Sequence, residues 1–478
     1  MLKPLHKRFS RRDFLKVAAL GGVSMTAACQ AAPRPAAPVA TTAPVAGSAA
    51  TEVPVAASSA KNIEVWSGWT EDFANNIQTI LDKNNEAQTQ YVAKHVSIAD
   101  SMNQKLLAVV SAGNPPATAI VFGAGTAYQL AAQNALLPLD DVLGPQLSAL
   151  KSFMLPSLWD LGTYQGKLYF ASMWNQCWGV YVNSDMATKA GLDPTKPPAT
   201  LEELGAAWDK MTTLNAQGNI DVLGGDLTDN NVLIGRFLGE LVSSDGKTIT
   251  ANAPNNVKAL EWITERWTRI GPQKLQDFYA SLQGRSERSA GQDPFLSGLR
   301  ASVVTGPWQF DVIRKYKPEN FKFEVWPLPA PAGMKKGTYT YGDGWIVPTA
   351  SPAPDAAADI LATMIGTAGN RDVYTNLFTV WPCVNGPVSK EIVDYPAFKE
   401  KVSSQCPGYQ DIFLADLFNS DQYLYPAKIP TSASYNDINS AEWEKARLGQ
   451  KTPKEALDFA TKTAQTELDN WYKQNPNN

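Results

Sequence analysis

The chain has few cysteines and histidines, and this scarcity excludes several kinds of functional site. Only four cysteines and two histidines occur among 478 residues, and beyond residue 28 the single histidine is His95. Zinc and iron–sulfur sites need clustered ligands, but Cys29, Cys177, Cys383 and Cys406 include no CxxC pair, and no glycine-rich phosphate motif occurs. We therefore expect neither a metal nor a cofactor. Cys383 and Cys406 are equally compatible with a disulfide and with two buried thiols.

Positive charge is also scarce once the amino terminus is set aside. Residues 1–28 hold six Lys or Arg and one Asp, so the remainder has 36 basic and 45 acidic residues and a net charge of −9. Nucleic acid and anionic membrane surfaces would repel that balance. Beyond the amino terminus, no continuous run of apolar residues approaches the roughly 20 residues that a membrane-spanning helix needs. We expect no nucleic-acid partner.

The amino terminus has the pattern of an export signal. Residues 10–16 (SRRDFLK) form a twin-arginine motif, and residues 17–28 are an uncharged run that is too short to span a bilayer. Residues 26–29 (TAAC) resemble a lipoprotein cleavage box, in which Cys29 becomes the lipidated first residue; cleavage by an ordinary signal peptidase is the alternative. We assign residues 1–28 to a signal peptide. The protein is then expected outside the cytoplasm, anchored to the outer face of the cytoplasmic membrane or periplasmic.

Residues 29–60 have the composition of a tether. Ala, Pro, Val, Thr and Ser dominate this stretch, and it contains no aromatic residue, Leu or Ile. Such a segment cannot bury enough apolar surface to offset the entropy of ordering, so we predict that it is disordered, and its prolines make it semi-extended. The remaining residues, 61–478, hold all fourteen tryptophans and are long enough for two domains.

Strand and helix patterns alternate at the start of this globular part. Residues 62–66 and 119–122 have the pattern of buried strands, while residues 73–81, 104–111 and 126–133 have helical periodicity. This alternation is typical of parallel sheets covered by helices on both faces. Ligands of such sheets bind at the carboxyl ends of the strands. The loops that follow the two predicted strands are therefore candidate ligand contacts.

Several stretches, in order along the chain, resemble the extracellular sugar-binding proteins of ABC importers, the family 1 solute-binding proteins to which maltose-binding protein belongs. They are GKLYFA at 166–171, GVYVNSD at 179–185, GPW at 306–308, VWPLP at 325–329, YGDGWIVP at 341–348 and the closing segment 441–457. No single stretch is diagnostic, but their order and spacing together are specific.

The resemblance implies an α/β, two-lobed fold of the periplasmic-binding-protein type. Each lobe would be a mainly parallel sheet flanked by helices, with the ligand in the cleft between the lobes. Residues 61–173 and 344–378 would form lobe 1, and residues 174–343 and 379–478 would form lobe 2. The lobes would close around the ligand by a hinge motion. The resemblance further implies a monomer without catalytic residues that delivers a small-molecule carbohydrate to the transmembrane subunits of an ABC importer.

Aromatic rings and polar groups occur together in the loops expected at the cleft. Flat rings cover the C–H faces of a sugar, while amide, carboxyl and phenol groups hydrogen-bond its hydroxyls. The candidate ligand-binding residues are Trp66, Trp69, Glu71, Gly123, Trp174, Asn175, Gln176, Trp308, Tyr341, Asp343, Trp345, Trp381 and Tyr435. By the resemblance, Trp308 corresponds to a sugar-stacking tryptophan, and Gln176 stands where a relative has a ligand-contacting acid.

Other interpretations of these residues remain open. A tryptophan is more often a core residue than a ligand contact. Those in helical patterns are assigned to packing: Trp159, Trp208, Trp262, Trp267, Trp443 and Trp471. A secreted glycoside hydrolase would also combine aromatic residues with two carboxyls, which Asp226, Asp343 and Glu71 could supply. The same fold could instead bind a non-sugar solute such as a polyamine or a peptide.

Overall fold

The computed structural model describes residues 60–98, 101–285, 291–365, 383 and 385–476. The predicted signal peptide, the lipidation site Cys29 and all but the last residue of the predicted tether lie outside the described residues.

Fourteen short strands are described. They are β1 (Lys61–Ser67), β2 (Tyr91–Ser97), β3 (Thr118–Phe122), β4 (Thr163–Tyr164), β5 (Lys167–Leu168), β6 (Ala171–Ser172), β7 (Gly179–Asn183), β8 (Thr213–Leu214), β9 (Ile220–Val222), β10 (Ser302–Thr305), β11 (Phe323–Pro327), β12 (Gly337–Tyr339), β13 (Asp343–Ile346) and β14 (Gln422–Leu424).

Helices cover these strands and are named here by their residue ranges. They are Glu71–Ala87, Met102–Ser111, Ala124–Ala132, Leu139–Leu143, Gln146–Phe153, Pro156–Gly162, Ser184–Lys189, Leu201–Met211, Asn230–Arg236, Pro254–Ile270, Pro272–Leu282, Gln309–Tyr316, Pro354–Ile365, Lys390–Val393, Pro396–Gln405, Ala415–Phe418, Ser432–Arg447 and Pro453–Gln474, with a π-helical turn at Tyr409–Leu414. None of the described helices is both long enough and apolar enough to cross a membrane.

The first sheet has the strand order β2-β1-β3-β13-β6. In β1, Ile63, Val65 and Ser67 are buried while their neighbours are more exposed, which is the period-two pattern of a strand with one covered face. β1 pairs in parallel with β2 and with β3, as the alternation of strands and helices predicts. β13 pairs antiparallel with both β3 and β6, so the sheet is mixed.

The second sheet corrects the expectation of mainly parallel sheets. Its order is β10-β7-β11, and β7 runs antiparallel to both neighbours. β10 and β11 flank the helix Gln309–Tyr316 and run in the same direction, as a strand–helix–strand unit should, but β7 inserts between them in the opposite direction. Local sequence patterns do not predict that β7 pairs with β10 and β11, because these strands lie more than 100 residues later in the chain.

Two clusters of buried apolar side chains form the core. One cluster covers the first sheet and extends to aromatic residues on one face of the second sheet, among them Tyr181. The other packs against the opposite face, where Val180 and Val182 point. Trp208 and Trp443 are fully buried in this second cluster, which confirms their assignment to packing.

Cys383 and Cys406 form a disulfide, which settles the choice that the sequence left open. Cys177 is a free, buried cysteine, and burial raises the pKa of its thiol. A thiol with a raised pKa is a poor nucleophile, so Cys177 has a packing role.

Candidate functional site

One edge of the first sheet collects several predicted ligand contacts. The carboxyl ends of β1 and β3 lead to Trp69 and Gly123. Because β13 runs antiparallel to β3, its first residue, Asp343, pairs with the last residue of β3, Phe122. Residues from three separate segments therefore meet at a single edge.

Three aromatic rings pack together at this edge of the sheet. The ring of Trp69 lies 5.4 Å from the ring of Phe122 in an edge-on arrangement and 5.1 Å from the ring of Trp174. Trp69 and Trp174 are buried in this conformation. Aromatic surfaces of this kind can cover the apolar face of a sugar ring once they are exposed.

Asp343 is a buried carboxyl beside these rings. The indole Nε1 of Trp174 donates a hydrogen bond of 3.0 Å to Asp343 Oδ2. Burial raises the pKa of Asp343 to about 7, and the hydrogen bond from Trp174 opposes this only in part. At neutral pH the carboxyl can therefore either donate or accept a hydrogen bond to a ligand hydroxyl.

Gly123 brings the first sheet against Tyr341. Its φ of +80° is in the left-handed region, and a Cβ at this position would clash with the Tyr341 ring. Tyr341 in turn stacks on Tyr339, with the ring centroids 5.7 Å apart, and Asn231 Nδ2 lies 3.5 Å from the Tyr339 hydroxyl. This stack connects the first sheet to the helix Asn230–Arg236.

The segment Trp174–Gln176 crosses near the same place. The backbones of Asn175 and Gly386 exchange two hydrogen bonds of 2.8 Å, and the Gln176 N–H donates to the Tyr341 carbonyl at 2.7 Å. The Asn175 side chain is fully buried, yet neither of its amide atoms has a hydrogen-bond partner among the described residues. Buried amides are normally satisfied, so this one is a candidate contact for a ligand or an ordered water.

An edge of the second sheet presents two tryptophans. The end of β10 pairs with the start of β7, which places Trp308 near Trp178, with ring centroids 6.0 Å apart at 81°. Gly306 is required here because any Cβ would clash with the Trp308 ring. Trp308 is half-buried, and the buried Trp178 Nε1 has no hydrogen-bond partner in the described part of the chain.

The helix Ser432–Arg447 contributes another predicted contact, Tyr435. The hydroxyls of Ser432 and Tyr435 are buried and have no hydrogen-bond partner among the residues described. A Cβ at Gly125, in the first turn of the helix Ala124–Ala132, would lie 3.0 Å from Ser432 Oγ. The helix Ser432–Arg447 thus brings two buried hydroxyls without a described partner close to the helix Ala124–Ala132, which follows β3.

The other predicted contacts are placed differently. Trp345 is fully buried in the middle of β13, between Ile120 and Ala171, and offers no surface to a ligand. Trp66 is half-buried, and its indole donates a 3.0 Å hydrogen bond to the side chain of Glu64. Glu71 begins the helix Glu71–Ala87, but its side chain is outside the described part of the structure, as is all of Trp381.

The segments at these edges carry no positive charge. No Lys or Arg occurs in the ranges 66–71, 122–126, 172–178, 228–232, 304–309, 338–345 or 429–436. The described residues also contain no group of three or more His, Cys, Asp or Glu side chains that could hold a metal ion. These segments therefore disfavour an anionic ligand, and their rings, amides and hydroxyls suit stacking and hydrogen bonding.

Sequence reasoning missed several residues of this region. Phe122 and Tyr339 are strand ends, and Ser432 begins a helix, so none stands out in the sequence. Asp229 and Asn231 offered a usable signal, because an Asp before two Asn is typical of a helix start, and the Asp229 carboxylate accepts hydrogen bonds from the Asn231 and Val232 N–H groups.

Comparisons with known proteins agree on one kind of protein. A family model described as bacterial extracellular solute-binding protein matches residues 79–400. The sn-glycerol-3-phosphate-binding periplasmic protein UgpB of Yersinia pseudotuberculosis is 22% identical over 422 residues, which are 84% of this chain and 90% of that protein.

Solved structures share the fold. The ABC substrate-binding protein Lmo0181 from Listeria monocytogenes, in complex with cycloalternan, has a TM-score of 0.69 at 20% identity, covering 87% of this chain and 99% of that one. UgpB from Mycobacterium tuberculosis, in complex with glycerophosphocholine, has a TM-score of 0.69 at 17% identity, covering 86% and 99%. The predicted two-lobed α/β fold is confirmed by these neighbours.

Proposed function

Because the chain belongs to the bacterial extracellular solute-binding protein family, we propose that it captures a neutral sugar or oligosaccharide between its lobes and delivers it to an ABC importer. The lobe boundaries given by the sequence are part of this proposal. So are twin-arginine export, a lipid anchor at Cys29 and a monomeric state.

The observation that supports the proposal is the chemistry of the two sheet edges, between which we place the cleft. Tryptophan and tyrosine rings line both edges, and buried neutral groups there have no hydrogen-bond partner among the described residues: the Asn175 amide, Trp178 Nε1 and the hydroxyls of Ser432 and Tyr435. Leaving such groups unsatisfied costs free energy, which a polyhydroxylated ligand would recover. Rings for the sugar faces and polar groups for the hydroxyls are the two components that a carbohydrate site needs.

The charge of the proposed site distinguishes between a neutral sugar and a phosphate ester as the ligand. The relatives named UgpB are described with glycerol-3-phosphate or glycerophosphocholine. A phosphate is bound most strongly by Arg or Lys, and the cleft segments of this chain have neither. Asp343 would add repulsion whenever it is ionised. We therefore favour a neutral sugar over a glycerophosphate ligand.

The same residues argue against a glycoside hydrolase. Such an enzyme needs two carboxyls flanking the scissile bond. Asp226 is already engaged in a structural cluster, since its carboxylate accepts hydrogen bonds from Trp267 Nε1 at 3.1 Å and from the Tyr279 hydroxyl at 2.8 Å. Of the other two candidates, Asp343 has an indole as its described hydrogen-bond donor, and the side chain of Glu71 lies outside the described part of the structure. We propose that the protein binds its ligand without transforming it.

The decisive experiment compares two tryptophan variants. A thermal-shift screen over neutral mono- and oligosaccharides first identifies a ligand, because binding to the native state raises the thermal midpoint. Trp308→Ala should then weaken its affinity at least about tenfold by calorimetry, since the change removes a stacking surface from the cleft. Trp262→Ala is the matched control, because Trp262 is half-buried as well but packs near Trp208 and Arg266.

The two variants should give opposite results. Trp262→Ala is expected to lower the thermal midpoint and to leave affinity unchanged. Trp308→Ala is expected to weaken affinity and to leave the thermal midpoint nearly unchanged. Equal affinity of Trp308→Ala and the wild type would remove Trp308 from the site. Release of shorter products from the bound glycan would overturn the assignment as a binding protein.

A further inference from the structure

Ser67, the last residue of β1, contacts His95 in β2, the only histidine beyond residue 28. Ser67 Oγ and His95 Nε2 lie 2.6 Å apart, which is a hydrogen-bonding distance. β1 and β2 pair in parallel with Ser67 opposite Ser97, and alternate side chains of a strand share a face, so all three side chains lie on the same face of the sheet. The contact lies two residues before Trp69, at the sheet edge that collects several predicted ligand contacts.

Serine hydroxyls of these two strands hold both polar backbone groups of Trp69. The Trp69 N–H donates to Ser67 Oγ at 3.2 Å, and the Trp69 carbonyl accepts a hydrogen bond from Ser97 Oγ. The Ile98 N–H donates to the Ser67 carbonyl at 2.8 Å, which joins the chain after β2 to the end of β1. Ser67 is fully buried, so water cannot readily replace its hydroxyl. The backbone position of Trp69 therefore depends on how the Ser67 hydroxyl is bonded.

The hydrogen bonds of Ser67 define the protonation state of the His95 ring. A backbone N–H can only donate, so Ser67 Oγ is the acceptor from Trp69. Among the described residues, the Ser67 hydroxyl has one other partner, His95 Nε2, which must accept its proton. The neutral imidazole therefore carries its own proton on Nδ1. Burial lowers the pKa of His95 from its ordinary value, which favours this neutral ring at neutral pH.

The elements around His95 provide no described partner for a positive charge on its ring. β2 packs against β1 and the helix Glu71–Ala87. The titratable side chains described on these three elements, other than His95, are Lys61, Glu64, Asp82, Lys83, Glu86, Tyr91 and Lys94. Glu64 and Lys94 lie on the opposite face of the sheet, because side chains alternate along a strand. Two further acids of the helix have side chains outside the described part of the structure, Glu71 and Asp72.

Two carboxylates in contact with these elements have hydrogen-bond donors of their own. Asp82 Oδ1 accepts a hydrogen bond from Gln78 Nε2 at 2.7 Å. Asp359, from the helix Pro354–Ile365, accepts one from the Tyr91 hydroxyl. A proton added to His95 therefore gains no carboxylate partner in the described part of the chain.

We propose that His95 and Ser67 are positioning residues that hold Trp69 at the cleft, and that protonation of His95 releases this hold and weakens sugar binding. A protonated imidazole donates from both ring nitrogens, so Ser67 Oγ would have to accept from His95 and would lose the acceptor for its own proton. A buried hydroxyl without an acceptor is unfavourable. The Ser67 side chain then turns away, and the Trp69 N–H loses its partner.

Trp69 transmits this change to other predicted ligand contacts. Its ring lies 5.4 Å from the Phe122 ring and 5.1 Å from the Trp174 ring, and Trp174 Nε1 donates to the Asp343 carboxyl. A displaced Trp69 therefore disturbs the packing of a ring and the donor of a carboxyl at the same edge. The effect on sugar binding rests on the function proposed for the cleft, whereas the hold on Trp69 does not.

NMR of the imidazole tests the proposed hydrogen bond without a ligand. The chain from residue 29 onward contains a single histidine, so in protein prepared without a polyhistidine tag every imidazole signal belongs to His95. At about pH 8 the nitrogen-15 shifts should be those of the neutral ring with its proton on Nδ1. A ring protonated on Nε2 at that pH would contradict the hydrogen bond from Ser67.

Hydrogen exchange of the Trp69 amide tests the hold itself. Labelling tryptophan with nitrogen-15 restricts the spectrum to fourteen residues, and Trp69→Phe assigns the signal. After correction for the intrinsic pH dependence of exchange, Ser67→Ala should speed exchange of this amide about tenfold or more. Lowering the pH from about 8 to about 5 should speed it in the wild type and not in His95→Gln, whose amide oxygen accepts from Ser67 and does not titrate. Unchanged exchange in Ser67→Ala and at low pH would overturn the hold.

A pH profile of affinity tests the coupling to the cleft. The probes are maltose, mannobiose and cellobiose at up to about 20 mM, a range that detects millimolar binding. The wild type should bind a probe about threefold or more weakly at about pH 5 than at about pH 8, and His95→Gln should flatten this difference. Asp343 titrates in both chains, so the difference between their profiles isolates His95. Ser97→Ala is the matched control: it also loosens Trp69 but keeps the Ser67–His95 contact, so it should retain the pH dependence.

Reciprocity supplies a second measure of the coupling, because a sugar that binds less well to the protonated form must lower the pKa of His95 when it binds. The imidazole signals of the wild type report this with and without a saturating probe. Identical pH profiles in the wild type and His95→Gln, with a His95 titration that the probe leaves unchanged, would overturn the coupling and leave the cleft function standing. If none of the three sugars binds, the result counts against the cleft function, and the imidazole and the Trp69 amide still decide whether His95 and Ser67 hold Trp69.

Discussion

Asp343 is a residue whose charge the fold controls directly. Its carboxyl is buried at the start of β13, and burial raises its pKa to about 7, with the Trp174 indole as its described hydrogen-bond donor. An ordinary Asp has a pKa near 3.9 in an unfolded chain. The folded protein therefore holds a proton on Asp343 over a pH range in which the unfolded chain has released it.

Stability should fall between about pH 4 and pH 7 because of this residue. In that window the folded state binds more protons than the unfolded state, so the free energy of unfolding decreases as pH rises and then levels off. Asp343→Asn should remove this contribution and leave the variant more stable relative to the wild type at pH 8 than at pH 4. Urea denaturation at a series of pH values measures the difference.

Asp193→Asn is the control for this prediction. Hydrogen bonds from Thr195 and the nearby Lys196 lower the pKa of Asp193 to about 2, so the substitution should lose stability at neutral pH and lose none at very low pH. Parallel pH profiles for Asp343→Asn and the wild type would contradict the buried-carboxyl interpretation.

Trp308 and Trp345 show how far the sequence predicts whether a single tryptophan lies in a loop or in the core. Both follow a glycine closely, and both were predicted to contact ligand. Trp308 lies half-buried in a turn after β10, whereas Trp345 is sealed in a strand with partners on both sides. Glycine beside tryptophan suggests a loop, but here Gly344 instead lets strand β13 pack closely against Phe170 and Ala171.

At the scale of elements, the loop that follows β3 decides how closely the first sheet meets Tyr341. Gly123 and Gly113 both have a positive φ, of +80° and +71°, and Gly123 combines it with a ψ of 152°. A Cβ at Gly113 would meet no atom within 4 Å, while one at Gly123 would strike the Tyr341 ring.

Gly123→Ala should therefore be more harmful than Gly113→Ala. Gly113→Ala costs about 1 kcal/mol for its positive φ. Gly123→Ala has a backbone cost of about 1–3 kcal/mol, because its φ and ψ are a combination that is essentially restricted to glycine, and it must also displace Tyr341, which stacks on Tyr339. Chemical denaturation gives the difference in the free energy of unfolding. Calorimetry with the cognate sugar should also show weaker binding only for Gly123→Ala. Equal destabilisation by the two variants would mean that Tyr341 moves aside freely.

Local patterns predicted the early elements well and the later pairing poorly. The strand predicted at 119–122 is Thr118–Phe122, and the helix predicted at 104–111 is Met102–Ser111, because period and flanking breakers fix such elements locally. The helix predicted at 73–81 extends to Ala87. The antiparallel insertion of β7 between β10 and β11 depends on contacts more than 100 residues apart in sequence, which no local pattern encodes.

For the whole molecule, the disulfide is the feature open to the most direct test. Cys383 and Cys406 are 23 residues apart, and their bond fixes the chain beside Asn385 to the end of the helix Pro396–Gln405. A cross-link that closes a loop of this length stabilises the folded state by about 3 kcal/mol, mainly by restricting the unfolded chain.

The double variant Cys383→Ser/Cys406→Ser should lower the thermal midpoint by several degrees. Reductant should lower the midpoint of the wild type to the same value and leave the variant unchanged, because the remaining Cys177 is buried. Calorimetric scans with and without dithiothreitol test this. A wild-type midpoint that matches the variant before reduction would mean that the bond does not form.

The overall architecture followed from the resemblance rather than from local patterns. Short stretches such as GPW at 306–308 and YGDGWIVP at 341–348 predicted a two-lobed solute-binding fold, which the comparisons confirm. The cleft residues were predicted as a region, but whether each faces the cleft or the core depends on packing that only the folded chain determines.

The placement of β13 also sets a condition on protein synthesis. The first sheet starts with β1 at residue 61 but needs residues 343–346 to cover the free side of β3. A ribosome must therefore have translated the chain as far as residue 346 before that sheet can be completed. Until then the nascent polypeptide exposes an apolar, unpaired strand, the kind of edge on which chains aggregate and that cellular chaperones shield.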